Sequence, residues 1–206
     1  MYKVKLLNTA EKSGWVKSSN SVWVSSTVSI SKTTIIGNHS IIDFPNLPYL
    51  IDGDLKLTQS KAILYYIGRK FNLMGATPTE EGRVMMLCEE AHDFRAKLSG
   101  FCYGPTGGSD EARQQFVDTV VKEDLKKFEN YFTNKKTNFS ASDHVTVADF
   151  QLFDYLDAGF TMDQSNSVVK EFPHIQRFLT SIRELPELKE YIAKMQAEVP
   201  FNNKGK

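Results

Sequence analysis

The feature that most constrains this fold is a short block of β-type residues followed directly by a helical pattern. The apolar run Leu47–Ile51 leads into Asp52-Gly53, a pair typical of two-residue hairpin turns, and then into the alternating segment Leu55–Thr58. Two strands joined by so short a turn must pair antiparallel. The sequence therefore predicts a β-hairpin.

A helix is predicted immediately after the hairpin. Ser60 is a suitable N-cap, and Asn72 to Gly75 provides residues that end a helix. Between them, apolar residues recur at helical spacing, which predicts a face that packs on the hairpin. These residues are Ala62, Ile63, Tyr66 and Ile67.

The rest of the chain is predicted to be helical. Thr77-Pro78-Thr79-Glu80 has the pattern of an N-cap, a first-turn proline and a capping-box acid, and it opens a helix that should run to about Tyr103. Thr146 is a second cap, and Pro173 and Pro186 are well placed at helix starts. Further helices are predicted at about 110–132, 147–158, 173–184 and 187–196.

These elements predict a small α/β domain at residues 1–76 followed by an all-helical domain at 77–206. Residues 1–42 are atypical, with thirteen Ser or Thr, five Lys and one acid. One strand is plausible within Val22–Ile30, which carries β-type residues. We expect the remainder of this stretch to be weakly structured or disordered, which would leave the hairpin with an unpaired edge.

Charge and cysteine content exclude several classes of function. Lys+Arg and Asp+Glu each number 25, so neither nucleic acid nor an anionic membrane is an expected partner. No run is apolar enough for a membrane span or a secretory signal. Cys88 and Cys102 are fourteen positions apart without a CxxC motif, which predicts two reduced, packed thiols, no metal site and a cytoplasmic location.

Two places could bind an anionic peptide. A proline before an edge strand, here Pro48, can be cis, which would leave the peptide groups of Leu47 open to an added extended chain. Gln59-Ser60 precedes a helix, where main-chain N–H groups and the helix dipole favour a carboxylate. Each feature has a simpler explanation, since a serine before a helix is usually only a cap.

The order and spacing of these residues resemble the glutathione transferases, the mu class in particular. The resemblance is carried by Asp43 to Gly53, by Leu57 to Ile63 and by the capping motif Val145 to Phe150, within a stretch from about Asp43 to Lys194. It implies a partial thioredoxin-like domain followed by an all-α helical bundle. It also implies conjugation of reduced glutathione, a co-substrate rather than a cofactor, to hydrophobic electrophiles in detoxification.

The resemblance also implies roles for individual residues. Asn46 and the backbone of Leu47 would contact the cysteinyl and glycyl part of glutathione, and Gln59 and Ser60 would hold its γ-glutamyl end. Asp93 would reach glutathione bound by the partner subunit, which requires a homodimer.

Two aromatic residues receive roles from the same resemblance. Phe44 would insert into the partner's helical domain, and Tyr103 would line the electrophile pocket. Simpler alternatives remain open for these positions: Asp93 as an ordinary solvated acid, and Tyr103 and Phe44 as core residues. No histidine receives a catalytic role.

The family's first strand ends in a tyrosine that activates the glutathione thiol, and this chain has no matching segment. At the family's spacing that position would fall before Met1, which a truncated gene model or an alternative first exon would explain. We therefore expect weak glutathione binding and slow conjugation. The alternative is a non-catalytic glutathione-binding or structural protein of the same fold, whereas glutaredoxin-like chemistry is disfavoured because neither cysteine lies in the α/β part.

Overall fold

The structure, a computed structural model, divides into two compact units, Met1–Phe71 and Asn72–Lys206. This division falls a few residues before the predicted boundary at 76/77. Leu73 already belongs to the second unit, where its carbonyl accepts a hydrogen bond of 2.9 Å from the Val147 N–H. The structure describes residues 29–31, 43–45, 48–105, 109–165 and 167–198, with side chains up to residue 193 but not for 29–31.

The sheet of the first unit has three antiparallel strands in the order β1-β2-β3. The predicted hairpin is confirmed, with Asp52 opposite Leu55. Its loop is Gly53-Asp54, one position later than the turn pair read from the sequence, and Gly53 takes the positive φ of 61° that such a turn requires. The strands are β1 Ser29–Ser31, β2 Tyr49–Asp52 and β3 Leu55–Thr58.

The expectation that the hairpin has an unpaired edge is wrong. β1 pairs with β2, with Ile30 opposite Leu50, so the strand covers the edge that β3 does not. The plausible strand in Val22–Ile30 therefore exists in part, at the end of that range. The other residues of 1–42 lie outside the described residues.

Helix α1, Ser60–Lys70, packs on the hairpin through Ile63, Tyr66 and Ile67 of the predicted apolar set, whereas Ala62 is exposed. Leu50 of β2 and Ile63 of α1 are completely buried, and Ile67 is nearly so. Burial of each such side chain stabilises the folded unit by about 2 kcal/mol. Leu57, Tyr66 and Phe71 are half-buried against this small core.

The second unit is helical, as predicted, but its helices differ in detail from those expected. The predicted helix at 110–132 contains a π-helical turn, Val117–Val121, between two α-helices. A short helix that the sequence pattern did not reveal follows α5, and the last helix begins at Lys189, later than expected. The helices are α2 Pro78–Tyr103, α3 Asp110–Phe116, α4 Lys122–Thr133, α5 Val147–Met162, α6 Ser167–Glu171, α7 Pro173–Arg183 and α8 Lys189–Glu198.

The predicted caps of α2 and α5 are confirmed. Thr77 Oγ1 accepts a hydrogen bond of 3.2 Å from the Glu80 N–H at the start of α2. At the start of α5, Asp149 Oδ2 accepts from the N–H and the hydroxyl of Thr146, at 2.8 and 2.9 Å. Asp149 Oδ1 also accepts from the Ser140 N–H at 2.7 Å, so this buried carboxylate fixes the preceding loop as well as the helix.

Helices α2 and α5 form the centre of the helical unit. Gly159 of α5 lies so close to α2 that a Cβ atom there would be 2.7 Å from the Phe94 ring. Phe94, Leu98, Leu152 and Leu156 are buried at this contact. Within the described ranges, no helix is both long enough and apolar enough to cross a bilayer.

Candidate functional site

The best-defined part of the candidate site is the junction between β3 and α1. Thr58 is buried at the end of the strand, and Gln59 turns the chain with φ 70° and ψ 111°. A positive φ in a residue with a side chain costs about 1–3 kcal/mol and tends to occur at functional sites. The strained turn exposes Gln59 and places half-buried Ser60 as the first residue of α1.

The prediction that Ser60 is the N-cap is wrong, because Gln59 occupies the N-cap position and Ser60 is the first helical residue. The Gln59 side chain makes no capping hydrogen bond, and the first turn of α1 contains no acid. The first N–H groups of a helix lack partners inside the helix and carry a partial positive charge. The start of α1 can therefore bind a carboxylate through main-chain N–H groups and the Ser60 hydroxyl.

An ionic cluster holds the hairpin against α1. The Tyr66 hydroxyl donates a hydrogen bond of 2.5 Å to Asp52 Oδ2, and the Lys70 ammonium forms an ion pair with the same oxygen. The Lys70 hydrogen bond, followed by that from Tyr66, lowers the pKa of Asp52. The same contacts with Asp52 raise the pKa values of Tyr66 and Lys70. All three groups are thus kept in the protonation states that stabilise the cluster.

The other predicted contacts of the first unit are described only in part. Pro48 is half-buried, and Tyr49 is buried where β2 begins. Asn46 and Leu47 lie outside the described residues, so the predicted main-chain pairing at Leu47 stays a prediction. Phe44 is 74% exposed, which excludes the alternative that it is a core residue of its own chain.

Helix α2 carries the two candidate residues of the second unit. Asp93 is exposed, as both its proposed role and the solvated alternative require. Tyr103 is the last residue of the helix and is 45% exposed, which excludes a core role. Two further apolar side chains of α2, Met85 and Met86, are exposed to 38% and 53%.

Both cysteines and one histidine, His174, have contacts typical of structural residues. Cys88 and Cys102 are free thiols buried in α2, as predicted. His174 begins α7, where the Glu129 carboxylate accepts hydrogen bonds from its ring and from its N–H. Among the side chains that the structure describes, no group of three or more His, Cys, Asp or Glu is arranged to hold a metal ion.

Some residues that shape the site were missed by the sequence analysis. The strain at Gln59 has no sequence signal, because non-glycine residues rarely adopt a positive φ. The partners of Asp52 could have been found, since Tyr66 and Lys70 are four positions apart and face the same side of α1.

Comparisons with known proteins agree with this geometry. The family model for the glutathione S-transferase C-terminal domain matches residues 92–195, and the model for the N-terminal domain matches residues 38–69. Glutathione S-transferase Mu 3 of Homo sapiens is 35% identical over 164 residues, which are 79% of this chain and 70% of that protein.

A second relative and a solved structure extend the comparison. The class-mu 26 kDa isozyme of Schistosoma mansoni is 37% identical over 73% of this chain and 66% of that protein. The structure of a pi-class glutathione S-transferase of Onchocerca volvulus matches 86% of this chain and 84% of its own, with a TM-score of 0.74 at 30% identity. Both the matched domains and the fold lead to one conclusion: the chain belongs to the glutathione S-transferase family.

Proposed function

We propose that this chain binds reduced glutathione and conjugates it slowly to hydrophobic electrophiles. The observation that supports binding is the start of α1, where Gln59 forms a strained turn and its side chain does not cap the helix. There the γ-glutamyl carboxylate would accept hydrogen bonds from main-chain N–H groups and from the Ser60 hydroxyl. Gln59 would contact the same end of the peptide, and Asn46 and the Leu47 backbone would hold the rest.

Slow conjugation follows from the thiol chemistry. A free thiol with a pKa near 8.5 is mostly protonated at neutral pH, and the thiolate is the nucleophile. The match to the N-terminal family model begins only at residue 38, and the preceding sequence has no segment like the family's tyrosine strand. Residues 1–37 supply no matching hydroxyl donor, so we infer that the residues of this sequence leave the thiol of bound glutathione nearly unperturbed.

The electrophile would lie beside Tyr103. This ring ends α2 and is partly exposed, so it offers an aromatic surface and a hydroxyl donor to an apolar molecule. The reaction needs no cofactor beyond glutathione itself. The two reduced thiols are consistent with a cytoplasmic enzyme of detoxification.

We also propose a homodimer. Its support is that each unit exposes large apolar side chains, Phe44 on the first and Met85 and Met86 on the second, which a monomer would leave in water. In such a dimer Phe44 would insert into the partner's helical unit, and Asp93 would reach the amine of the partner's glutathione. Replacing Phe44 by Ser should shift the chain to monomers in sedimentation equilibrium. Leu55→Ser, which changes another exposed apolar residue, should leave the dimer intact, and an unchanged dimer in Phe44→Ser would contradict the proposal.

A second function is a non-catalytic protein that binds glutathione or another ligand. This function is favoured because the match to the N-terminal family model begins only at residue 38. Calorimetric titration with glutathione, combined with turnover of an aryl halide, separates the two. Measurable binding with slow turnover supports the first proposal, and binding without turnover above the uncatalysed rate supports the second. No binding at millimolar glutathione would contradict both.

The role of Ser60 is tested within the same experiment. Ser60→Ala should weaken glutathione binding about tenfold or more, because a hydrogen bond to a charged group is worth roughly 1.5–3 kcal/mol. Ser181→Ala, at an exposed position of α7, is the matched control and should bind like the unchanged protein. Equal affinity of both variants would show that the start of α1 is not the carboxylate site.

A further inference from the structure

Two side chains of helix α5, those of Gln151 and Asp154, accept no hydrogen bond from the side chains that the structure describes. The amide oxygen of Gln151 is buried and has no partner in the described part of the chain. Asp154, three residues later, is half-buried, and no residue with a described side chain donates a hydrogen bond to its carboxylate. Native proteins rarely leave a buried acceptor unpaired, so the Gln151 oxygen needs a donor, and Asp154 is its neighbour about one helical turn away.

The groups around Asp154 do not supply the missing donor. Arg95 of α2 donates to Ser99 Oγ, and its guanidinium carbon is 5.8 Å from the centre of the Tyr155 ring. Asp157, on the same face of α5, forms an ion pair with Arg183 of α7.

Burial and the charge of Asp154 also shift the pKa values of the two nearby tyrosines, Tyr155 and Tyr191. Burial, followed by the nearby Asp154, raises the pKa of Tyr155, and the Gln151 side chain opposes this rise. Burial and Asp154 raise the pKa of Tyr191 of α8 in the same way. Burial raises the pKa of Asp154 itself to about 6, against the opposing effect of Arg95, and Asp157 adds to the rise.

We propose that the Asp154 carboxyl group carries a proton in the folded chain and donates it in a hydrogen bond to the Gln151 amide oxygen. Residues three apart on a helix lie on the same face, about 5–6 Å apart at Cβ, within reach of these two side chains. A protonated carboxyl group has one O–H donor, which is what the amide oxygen lacks. One proton thus satisfies both groups.

The bond makes the stability of the helical unit sensitive to pH, because Gln151 and Asp154 both lie on α5, a central helix of that unit. When Asp154 ionises, the Gln151 oxygen loses its donor and a desolvated carboxylate remains. The folded state therefore binds this proton more tightly than the unfolded chain does. The resulting stability is complete below the ordinary pKa of an aspartate and is lost as the pH rises through about 6.

The direct test is a pH titration of Asp154 in the full chain. The ¹³C chemical shift of its carboxyl carbon is measured against pH in protein labelled at aspartate. We expect a midpoint near pH 6 and a clearly lower midpoint in Gln151→Met, which removes the acceptor at similar size. In the contrary arrangement the Gln151 amide is rotated and its NH₂ group donates to an ionised Asp154. The midpoint would then rise in Gln151→Met. An Asp154 carboxyl that stays ionised between pH 5 and 8, or a higher midpoint in Gln151→Met, would overturn the proposal.

Stability gives an independent readout. Asp154→Asn carries a permanent neutral donor, so it should be more stable to urea than the unchanged protein at pH 8. The difference between the two should shrink as the pH falls towards 5. Asp110→Asn, a change at an exposed acid in the first turn of α3, is the control and should show no such convergence. An Asp154→Asn variant that is less stable at pH 8 would contradict the proposal.

Discussion

The hydroxyl of Tyr66 donates a hydrogen bond of 2.5 Å to Oδ2 of Asp52 and so joins α1 to the end of β2. Lys70, one turn later on α1, forms an ion pair with the same oxygen, and its ammonium lies 5.9 Å from the centre of the Tyr66 ring. The cluster holds the helix that begins at Ser60 against the hairpin. It therefore supports the proposed carboxylate site from the other end of the helix.

Tyr66→Phe should lower the stability of the first unit, and Asp52→Asn should lower it further, because Asp52 holds both partners. The contribution of Asp52 depends on pH in a definite direction. Since folding lowers its pKa, the stabilisation is present above the ordinary aspartate value and is lost as the pH falls through the lowered one. Urea unfolding of Asp52→Asn should thus converge with the unchanged protein in acid. A constant difference at all pH values would contradict this assignment.

Gln59→Gly should separate stability from binding. Glycine adopts φ 70° without strain, so the free energy of unfolding should rise or stay level, by about 1 kcal/mol at most. Glutathione affinity should fall, because the side chain proposed to contact the γ-glutamyl group is lost. Gln59→Ala is the matched control: it loses the same contact but keeps the strain. Equal affinity of the glycine variant and the unchanged protein would show that the Gln59 side chain has no part in binding.

Asp149→Ala should be among the most destabilising single changes. The side chain is fully buried and accepts hydrogen bonds from the Ser140 and Thr146 N–H groups, which would both be left without a partner. Each unsatisfied buried donor costs about 1–3 kcal/mol, so we expect a total loss of about 2–5 kcal/mol in urea unfolding. Asp110→Ala, at an exposed first-turn position, should cost less than about 1 kcal/mol. Similar losses for both variants would contradict the structural role of Asp149.

Gly159→Ala should destabilise the helical unit by about 1–3 kcal/mol through overpacking. The added methyl group would be 2.7 Å from Cζ of Phe94, a ring that is itself buried. Gly100→Ala provides the control, because a Cβ atom there meets nothing within 4 Å. Alanine at that exposed helical position should be neutral or stabilising by up to about 1 kcal/mol. A lower melting temperature for Gly159→Ala than for Gly100→Ala would support the close packing of α2 and α5. Equal melting temperatures would contradict it.

The parts of the fold that could be predicted from the sequence depend on local chemistry. The turn after Asp52 and the caps at Thr77 and Thr146 are set by residues within a few positions of one another. The pairing of β1 with β2 could not be predicted with confidence, because Ser29–Ser31 is short and its partner is distant in sequence. The π-helical turn at Val117–Val121 has no proline or glycine to mark it.

The candidate site was predicted to a similar extent. A helix start at Gln59-Ser60 follows from the pattern, but the pattern assigned the cap to Ser60, because a non-glycine residue with positive φ is not expected. The roles of Asp93 and Tyr103 came from family resemblance rather than from spacing. Their exposure on α2 agrees with those roles but does not itself assign them. Physical reasoning from residues therefore pointed to the proposed anion site, whereas the proposed partner-dependent contacts came from family resemblance.

The bond from the Leu73 carbonyl to the Val147 N–H has a consequence for how the chain opens. Val147 is the first residue of α5, and its N–H would otherwise be one of the unpaired donors at a helix end. The first residues of the second unit thus close the end of one of its central helices. Detachment of this leading segment exposes a main-chain donor inside the helical unit, so the segment cannot peel away without loosening the interior of its own unit.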